Sequence, residues 1–378
     1  SRRADGGRSQ ILMRMQAAVL SEPNGRFRIE TVDLDPPKAG EVLVKIAAGG
    51  VCRSDWRVAI GTAPKPMPII AGHEGAGVVE AVGSEVSRVA PGDHVTFIWA
   101  PSCGDCFYCN GGKPNLCETF TPLLATGLQA DGKSRIHWKG QPVHILAGLG
   151  AFAEFAVVRE ESCLPIRRDV PLELAALAGC AVATGVGAAT YTAAVKPGES
   201  VAVFGAGGVG LNIIQGARLC GADPIIAVDA DEKKLSPALD FGATHTLHYD
   251  DAIVRRVQAL TGGRGADHGL EAAGIPALQE VAFDALRPGG QLTLIGTTPD
   301  DSRTNLPGAV ITRSEKVIRG GFYGSCSPRR DIPLLLDLYA AGKLKLRELV
   351  TRRYALAQIN EAYADLVKGE LARGVIVF

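Results

Sequence analysis

The first hundred residues carry apolar and polar side chains in short alternating runs, a pattern typical of half-buried β-strands. Breakers such as the Pro-Pro pair at 36–37 and the turn Pro-Gly-Asp at 91–93 separate these runs. We therefore predict an irregular, mainly β domain in this part of the chain. Its predicted strands lie at 16–20, 41–46, 68–71, 77–82 and 94–98.

After residue 180 the pattern changes to wholly apolar runs that alternate with segments of helical periodicity. Such alternation predicts a doubly wound parallel sheet, so the fold class is α/β. The predicted strands are 201–204, 225–229, 244–247, 268–271, 291–296 and 317–323. The predicted helices are 211–219, 251–260 and 276–286.

The chain has 378 residues, which favours two domains over a single core. We predict a disordered tail at 1–14, a mainly β first domain at 15–181 and an α/β second domain at 182–322. Residues 323–378 should return to the first domain with two helices and a final strand. Within the first domain we expect a long loop-rich insertion at 118–150, a strand at 151–158 and a short helix at 172–177. The predicted helices of the last segment are 331–339 and 357–366, and its strand is 375–378.

Charge and cysteine content narrow the possible partners and compartment. Lysine plus arginine equals aspartate plus glutamate, 40 each, so we expect neither nucleic acid nor a membrane as partner. No apolar run looks long enough to span a bilayer. Nine cysteines, four of them closely spaced, favour metal binding in a reducing compartment over a disulfide framework. We expect a cytoplasmic location.

Four of the cysteines follow the spacing C-x2-C-x2-C-x7-C. Four thiolates at such short spacing form a closed tetrahedral site for zinc, with no position open for a substrate. The surrounding glycines leave this lobe, 103–117, with little apolar core, so we predict a structural zinc that supplies its folding energy. The ligands are Cys103, Cys106, Cys109 and Cys117.

A second set of metal-binding residues is spread along the chain. His73 lies in the sequence Gly-His-Glu-Gly-Ala-Gly, with Cys52 upstream and Cys180 downstream. One histidine alone is more often a core residue than a ligand. One histidine and two cysteines together match a catalytic zinc site that keeps a fourth position open.

The sequence Gly-Ala-Gly-Gly-Val-Gly at 205–210 stands between a predicted strand and a predicted helix. In that context the glycines predict a dinucleotide site, because they let the backbone approach a pyrophosphate at a helix N-terminus. Asp229 ends the next strand, where a carboxylate can accept hydrogen bonds from both ribose hydroxyls of NAD and would repel the 2′-phosphate of NADP. We predict NAD, with Lys234 as a further candidate near the ribose.

Taken together, these motifs resemble those of the zinc-dependent medium-chain alcohol dehydrogenases. The likeness runs from about residue 15 to 378 and includes Cys-Arg-Ser-Asp at 52–55 and Gly-Cys-Ala-Val-Ala-Thr-Gly at 179–185. It implies a Rossmann domain, a GroES-like catalytic domain, two zinc ions per chain, and reversible hydride transfer between an uncharged primary or secondary alcohol and NAD, giving an aldehyde or ketone.

The resemblance also implies roles for individual residues. Cys52, His73 and Cys180 would bind the catalytic zinc, with Glu74 and Asp55 behind them. Ser54 would hydrogen-bond the alcohol and begin removal of its proton. The residues implied to bind the cofactor are Arg53, Thr184, Gly205, Gly207, Gly208, Val209, Gly210, Asp229, Lys234 and Arg373. The residues implied to line the alcohol pocket are Trp99, Leu146, Ala147, Thr297 and Phe322.

The chain departs from the family at one position of the proton path. Many relatives carry a histidine three residues after the serine, where this chain has Arg57. Arginine stays protonated and cannot act as a base, so we expect a pH–rate profile without the ionisation of a relay histidine. The long insertion resembles that of dimeric members, and we expect a homodimer joined through edge strands of the nucleotide sheets.

Two alternatives to this function remain open. A polyol or amino-alcohol dehydrogenase of the same superfamily would need polar groups in the pocket, which the apolar lining does not offer. A nicotinamide-binding redox sensor on the same fold could lose its zinc ligands, yet Ser54 and all three ligands are present.

Overall fold

The structure is a computed structural model, and it describes residues 13–378. Three sheets organise these residues, two of them in the β-rich part and one in the nucleotide-binding part. The first sheet has six strands, in the order Gln141–Pro142, Ile136–Trp138, Arg28–Leu34, Met13–Leu20, Ile69–Ile70, His144–Ile145.

The second sheet takes strands from both ends of the chain. The C-terminal strand Arg373–Val377 pairs antiparallel with Glu41–Val51, so the last residues join a sheet formed mainly by the first part of the chain. Phe155–Arg159 pairs with the same central strand. The other strands run in the order Cys163–Pro165, His94–Phe97, Gly75–Val82, Glu41–Val51, Arg373–Val377, Val350–Ala355.

The third sheet is parallel throughout, which confirms the predicted Rossmann arrangement. Its strand order places the first strand at the centre, so the connections run outward in both directions and leave a crevice at the carboxyl ends of the strands. The order is His245–His248, Ile225–Asp229, Val201–Phe204, Ala266–Glu271, Leu286–Leu294, Val317–Gly320.

Helices cover both faces of this sheet and join it to the catalytic domain. Because the strands between them are buried on both faces, they carry continuous apolar runs. The α-helices are Arg53–Ala59, Phe107–Asn110, Leu123–Thr126, Leu172–Leu177, Ala183–Gly187, Gly208–Leu219, Glu232–Asp240, Ile253–Leu260, Pro276–Asp284, Gly308–Ser314, Pro328–Ala340 and Ile359–Val367.

Some predicted boundaries are wrong. The expected tail at 1–14 lies mostly outside the described residues, but Met13 and Arg14 already belong to the first strand, where Met13 pairs with Leu34. The insertion at 118–150 is not simply loop, because it supplies three strands of the first sheet. The last strand of the parallel sheet ends at Gly320 and not at residue 323.

The predicted short helix at 172–177 is only the first turn and a half of a longer element. The helix Leu172–Thr192 has 21 residues and is long and apolar enough, by length and composition, to cross a membrane. The expectation that no run would pass this test is therefore wrong. However, 83% of the apolar 18-residue stretch that meets this description is buried inside the protein, as in a core helix. It packs against Gly208–Leu219 and brings Cys180 to the catalytic domain.

Candidate active site

The predicted ligands of the catalytic zinc come together in the structure. Cys52 precedes the helix Arg53–Ala59, His73 and Glu74 precede the strand Gly75–Val82, and Cys180 lies in the helix Leu172–Thr192. Their ligand atoms all lie within 4.8 Å of one another, and all four residues are buried. His73 Nε2 is 3.3 Å from Cys180 Sγ, which matches the separation of neighbouring ligands around a tetrahedral zinc, roughly 3.5 Å.

Asp55 fixes the orientation of the histidine ring. Its Oδ1 lies 3.1 Å from His73 Nδ1 and also accepts a 2.9 Å hydrogen bond from the Gly72 backbone N–H. A proton on Nδ1 leaves the Nε2 lone pair free, and Nε2 is the atom that faces the two cysteines. The Asp55 carboxylate is fully buried, so its charge acts on the ring without competition from water.

The two thiols of this cluster differ in acidity. A hydrogen bond from Cys180 lowers the pKa of Cys52 well below its usual range, against the effect of burial. Donating that bond, together with burial, raises the pKa of Cys180. Burial lowers the pKa of His73, but the charges of Asp55 and Cys52 outweigh it and raise the pKa overall. These shifts favour a Cys52 thiolate beside a protonated His73 and a Cys180 thiol, and a bound cation would compete with the protons of the latter two residues for the same nitrogen and sulfur atoms.

Glu74, which the resemblance places behind the ligands, lies within the cluster in the structure and is paired with an arginine. Burial raises the pKa of Glu74 to about 7, although the neighbouring Arg373 opposes this effect. Arg373 donates from Nη2 to Glu74 Oε2, and its aliphatic stem lies against Gly208 at the start of the nucleotide-domain helix. Glu74 Oε1 is buried without a partner, 3.9 Å from His73 Nε2. Arg373 therefore links the metal cluster to the nucleotide turn.

The four-cysteine lobe has the geometry of a closed metal site. The Sγ atoms of Cys103 and Cys109 are 3.9 Å apart, as are those of Cys106 and Cys117. Zinc–sulfur bonds of about 2.3 Å in a tetrahedron would place them roughly 3.8 Å apart. Backbone N–H groups donate to several of these sulfurs, including those of Cys106 and Asp105 to Cys103. The nine cysteines are all free thiols, and these four fit one zinc.

The glycine-rich turn has the backbone that its sequence predicts. Gly205 has φ +101°, in the region that side chains avoid. A Cβ on Gly210 would lie 1.8 Å from the Gly205 carbonyl oxygen, whereas a Cβ on Gly207 would meet nothing within 4 Å. The turn thus leaves room beside Gly207 at the N-terminus of the helix Gly208–Leu219, where a pyrophosphate can bind.

Asp229 lies at the end of the neighbouring strand and faces this turn. Its Oδ2 accepts a hydrogen bond from the Ala206 N–H, and its Oδ1 accepts one from the Asp231 N–H. Lys234 Nζ lies 3.6 Å from Asp229 Oδ1. A carboxylate fixed in this way beside the turn fits the ribose of a dinucleotide.

The other residues implied to bind the cofactor lie around the same crevice. Thr184 is on the long core helix, Val209 is in the first turn of the nucleotide helix, and Arg53 is exposed next to Cys52. Gly185 brings these two helices together, because a Cβ on it would lie 2.6 Å from the Val209 carbonyl oxygen.

The predicted pocket residues are only partly brought together. Trp99 meets Phe322 edge to face at 5.0 Å and the His73 ring at 6.4 Å, so these two predicted pocket residues lie beside the metal cluster. Leu146 is buried in the core of the catalytic domain, and Ala147 packs at the edge of that core. Thr297 lies on the nucleotide domain and contacts the catalytic domain through its carbonyl oxygen.

Sequence reasoning missed several contacts of this site. Tyr323 is buried, packs against Trp99 with tilted rings whose centroids are 4.6 Å apart, and donates from its hydroxyl to the Gly179 carbonyl next to Cys180. Asn115 of the cysteine lobe donates to the Phe322 carbonyl at 2.9 Å. The periodicity of the sequence could not predict these contacts, because each of them joins segments that are far apart in the chain.

Comparison with known proteins agrees with this geometry. The family described as alcohol dehydrogenase GroES-like domain matches residues 38–168, and the one described as zinc-binding dehydrogenase matches residues 208–341. The NDMA-dependent alcohol dehydrogenase of Amycolatopsis methanolica is 42% identical over 97% of this chain and 99% of its own length. The chain belongs to the zinc-dependent medium-chain alcohol dehydrogenases.

Two further members of this family of alcohol dehydrogenases are informative. The geraniol dehydrogenase of Castellaniella defragrans is 38% identical over 98% of this chain and 99% of its own. The crystal structure of benzyl alcohol dehydrogenase from Acinetobacter calcoaceticus superposes with a TM-score of 0.92 at 33% identity, covering 97% of this chain and all of the other. The predicted family, fold class and alcohol dehydrogenase activity are therefore confirmed.

Proposed function

We propose that this alcohol dehydrogenase depends on zinc and uses NAD to oxidise uncharged primary or secondary alcohols with an apolar substituent. The observation that carries the proposal is the buried set of Cys52, His73 and Cys180, with the histidine oriented by Asp55. This set of residues faces the glycine-rich turn across the crevice between the domains. Arg373 contacts both, through Glu74 on one side and Gly208 on the other.

The chain's own residues bind and orient the reactants in this proposal. Ser54 Oγ, 3.6 Å from Cys52 Sγ, accepts a hydrogen bond from the alcohol hydroxyl and takes up its proton while the serine's own hydroxyl proton passes to water. Trp99, with Phe322 edge to face against it, lies against the apolar part of the alcohol. When bound, zinc lowers the pKa of a hydroxyl group, and oxidised nicotinamide takes up the hydride. The carbon–hydrogen bond breaks, its electron pair leaves as hydride, and the remaining C–O bond becomes a carbonyl.

The proposal of NAD over NADP rests on Asp229. Its carboxylate is held by two backbone N–H groups, so it cannot turn away from a 2′-phosphate without losing both bonds. Ala230, the next residue, offers no guanidinium to such a phosphate. Repulsion from a fixed carboxylate at this position would disfavour NADP.

The substrate class follows from the rings near the metal cluster. Trp99, Phe322 and Tyr323 form an aromatic group, with Trp99 edge-on to His73. Such a wall favours an alcohol with an aromatic or unsaturated apolar group, consistent with relatives named for benzyl alcohol and geraniol. A polyol would leave its extra hydroxyls without partners here, which disfavours that alternative.

We further propose a cytoplasmic homodimer with two zinc ions per chain. The edge strand Val317–Gly320 of the parallel sheet is exposed along its whole length, with Val317 43% and Ile318 39% accessible. An exposed apolar edge strand is a template for pairing with a second copy. The free thiols support a reducing compartment.

A panel of alcohols tests this function together with metal content. Purified protein is assayed for zinc, and absorbance of reduced nicotinamide is followed with benzyl alcohol, geraniol, ethanol and sorbitol. About two zinc ions per chain and reduction of NAD⁺ with the apolar alcohols are expected. A single zinc ion and no turnover would favour the redox-sensor alternative.

A second candidate is an enzyme that needs a different electron acceptor. It is favoured by the 42% identical relative, which is named NDMA-dependent. The alcohol panel is therefore repeated with NDMA in place of added NAD⁺. Aldehyde formation only in the presence of NDMA would support this candidate and would show that external NAD⁺ is not the final acceptor.

A further inference from the structure

Arg57 connects the two domains across the crevice. It belongs to the helix Arg53–Ala59 of the catalytic domain, and its guanidinium donates to the Thr297 carbonyl at 3.2 Å and the Thr298 carbonyl at 2.8 Å. Its side chain is only 13% exposed, and the exposed Asp300 lies 3.9 Å away. Two hydrogen bonds from one charged, largely buried group form a strong point of attachment.

The backbone segment that accepts these two hydrogen bonds is itself held in place by contacts within the nucleotide domain. A Cβ on Gly274 would lie 2.4 Å from the Thr297 carbonyl oxygen, so the segment that begins at Thr297 lies directly on the turn after the strand Ala266–Glu271. The buried Glu271 carboxylate holds that turn by accepting 2.7 Å hydrogen bonds from the Ala273 and Gly274 N–H groups. Arg57 thus binds a part of the nucleotide domain that moves with the sheet.

The contact of Arg57 lies close to the edge of the sheet where the cofactor is proposed to bind. Segment 297–302 follows the strand Leu286–Leu294, at the carboxyl edge of the sheet where dinucleotides bind. The helix that carries Arg57 begins with Arg53 and Ser54, directly after the zinc ligand Cys52. A guanidinium has the reach and the paired donors to bridge two successive carbonyl groups, whereas an imidazole offers one donor at a time when neutral.

We propose that Arg57 is an inter-domain clamp that keeps the crevice closed over the nicotinamide cofactor and slows its release. The clamp rests on the proposed use of a nicotinamide cofactor. It gives the residue at this position a positioning role in place of proton transfer. Loss of the two hydrogen bonds frees segment 297–302 and lets the domains separate more easily.

Three variants test the clamp. Arg57→Ala removes both bonds, and Arg57→Lys keeps the charge but presents a compact ammonium that can reach one carbonyl. Arg168→Ala is the matched control, because Arg168 donates to the Gly92 carbonyl at 3.1 Å within the catalytic domain, away from the crevice. Release of NADH is followed by stopped-flow fluorescence, and amide hydrogen exchange of segment 296–302 is measured without cofactor.

We expect NADH to leave Arg57→Ala roughly tenfold faster than the native protein, with Arg57→Lys in between and Arg168→Ala unchanged. Exchange in segment 296–302 should accelerate in the same order, and methylguanidine should slow NADH release again in Arg57→Ala only. Equal NADH release and equal exchange in Arg57→Ala and the native protein would overturn the clamp. If the native protein binds no NADH, the proposed cofactor is wrong, while the exchange measurement still decides whether Arg57 holds the segment.

Discussion

Asp55 shows how one side chain positions the centre of the candidate site. Its carboxylate binds the Gly72 N–H and the His73 ring together, so the backbone before the histidine and the ring itself have a common anchor. The second oxygen, Oδ2, is buried without a partner. A carboxylate in this position fixes the tautomer and the orientation of a metal-binding histidine.

Replacing Asp55 by asparagine should weaken the binding of the catalytic zinc. Asp55→Asn keeps the shape but removes the charge that fixes the Nδ1 proton, and we expect roughly 10- to 100-fold lower zinc affinity. Competition with a chromophoric chelator measures it. Asp35→Asn is the control, since Asp35 makes a 3.0 Å contact to His137 away from the cluster. Unchanged zinc affinity in Asp55→Asn would show that the contact does not support the metal.

Asp267 contributes a pH-dependent part of the stability of the nucleotide domain. Burial alone would raise its pKa, but hydrogen bonds from the N–H and hydroxyl of Ser200 and the ion pair with Arg287 lower it below the usual range. Because the pKa is lower in the folded state, the stabilisation is complete above the unfolded pKa, about 3.9, and is lost as the pH falls through the folded value.

Asp267→Asn should therefore lower the free energy of unfolding at neutral pH by about 1 kcal/mol. The difference from the native protein should shrink below about pH 4, where the native carboxylate also takes up a proton. Urea unfolding at several pH values measures both effects. The exposed Asp301 provides the control, Asp301→Asn, for which no difference is expected. A difference that stays constant down to acid pH would contradict the role of the carboxylate charge.

At the scale of elements, glycines set how closely the segments of the site can approach. The long core helix Leu172–Thr192 touches its neighbours through glycines, and a Cβ on Gly179 would lie 2.3 Å from the Phe97 carbonyl oxygen. A Cβ on Gly187 would lie 2.5 Å from the Gly324 carbonyl oxygen. This close packing lets Cys180, in the interior of a helix, reach the ligands supplied by the catalytic domain.

Two glycine substitutions in the nucleotide turn should distinguish an effect on protein stability from an effect on cofactor binding. Gly210→Ala places a Cβ against the Gly205 carbonyl oxygen, so we expect both a lower melting temperature and weaker NADH binding. Gly207→Ala has open space for its methyl group, so we expect an unchanged melting temperature and NADH binding weaker by roughly tenfold.

Thermal unfolding and fluorescence titration with NADH measure the two properties. Gly308→Ala is the control, because Gly308 also has open space but begins a helix elsewhere in the domain. If Gly207→Ala binds NADH as tightly as the native protein, the space beside Gly207 does not receive the pyrophosphate.

For the whole molecule, the exposed edge strand should determine the oligomeric state. A lysine at Ile318 would have to be desolvated in an interface formed by pairing two copies of Val317–Gly320, so Ile318→Lys should shift the protein from dimer to monomer. Light scattering on a size-exclusion column gives the mass. Val367→Lys is the control, since Val367 is 49% exposed on the other domain. A tetramer for the native protein would exclude the proposed dimer.

The sequence alone determined much of the fold and the list of site residues. Val201–Phe204 is wholly apolar and is followed by Gly205, and Ile225–Asp229 is apolar except for its last residue and is preceded by Pro224, so these two strands could be placed to the residue. The spacing of four cysteines within fifteen residues defined the lobe, because the short chain between them leaves few other arrangements. The family motifs then predicted Cys52, His73 and Cys180 as the distant ligands, and these three residues lie together in the structure.

Only the tertiary structure decided how the separate parts of the site contact one another. The resemblance implied that Arg373 binds the cofactor, and in the fold it also pairs with Glu74, which is 299 residues away. In the sequence, Arg57 stands where many relatives have a proton-relay histidine. In the fold it donates a hydrogen bond to the carbonyl of Thr297, which is 240 residues further along the chain. Neither contact follows from local periodicity, since both depend on how two independently patterned domains are placed against each other. The sequence determines which side chains each domain offers, and the packing of the domains decides which of them meet.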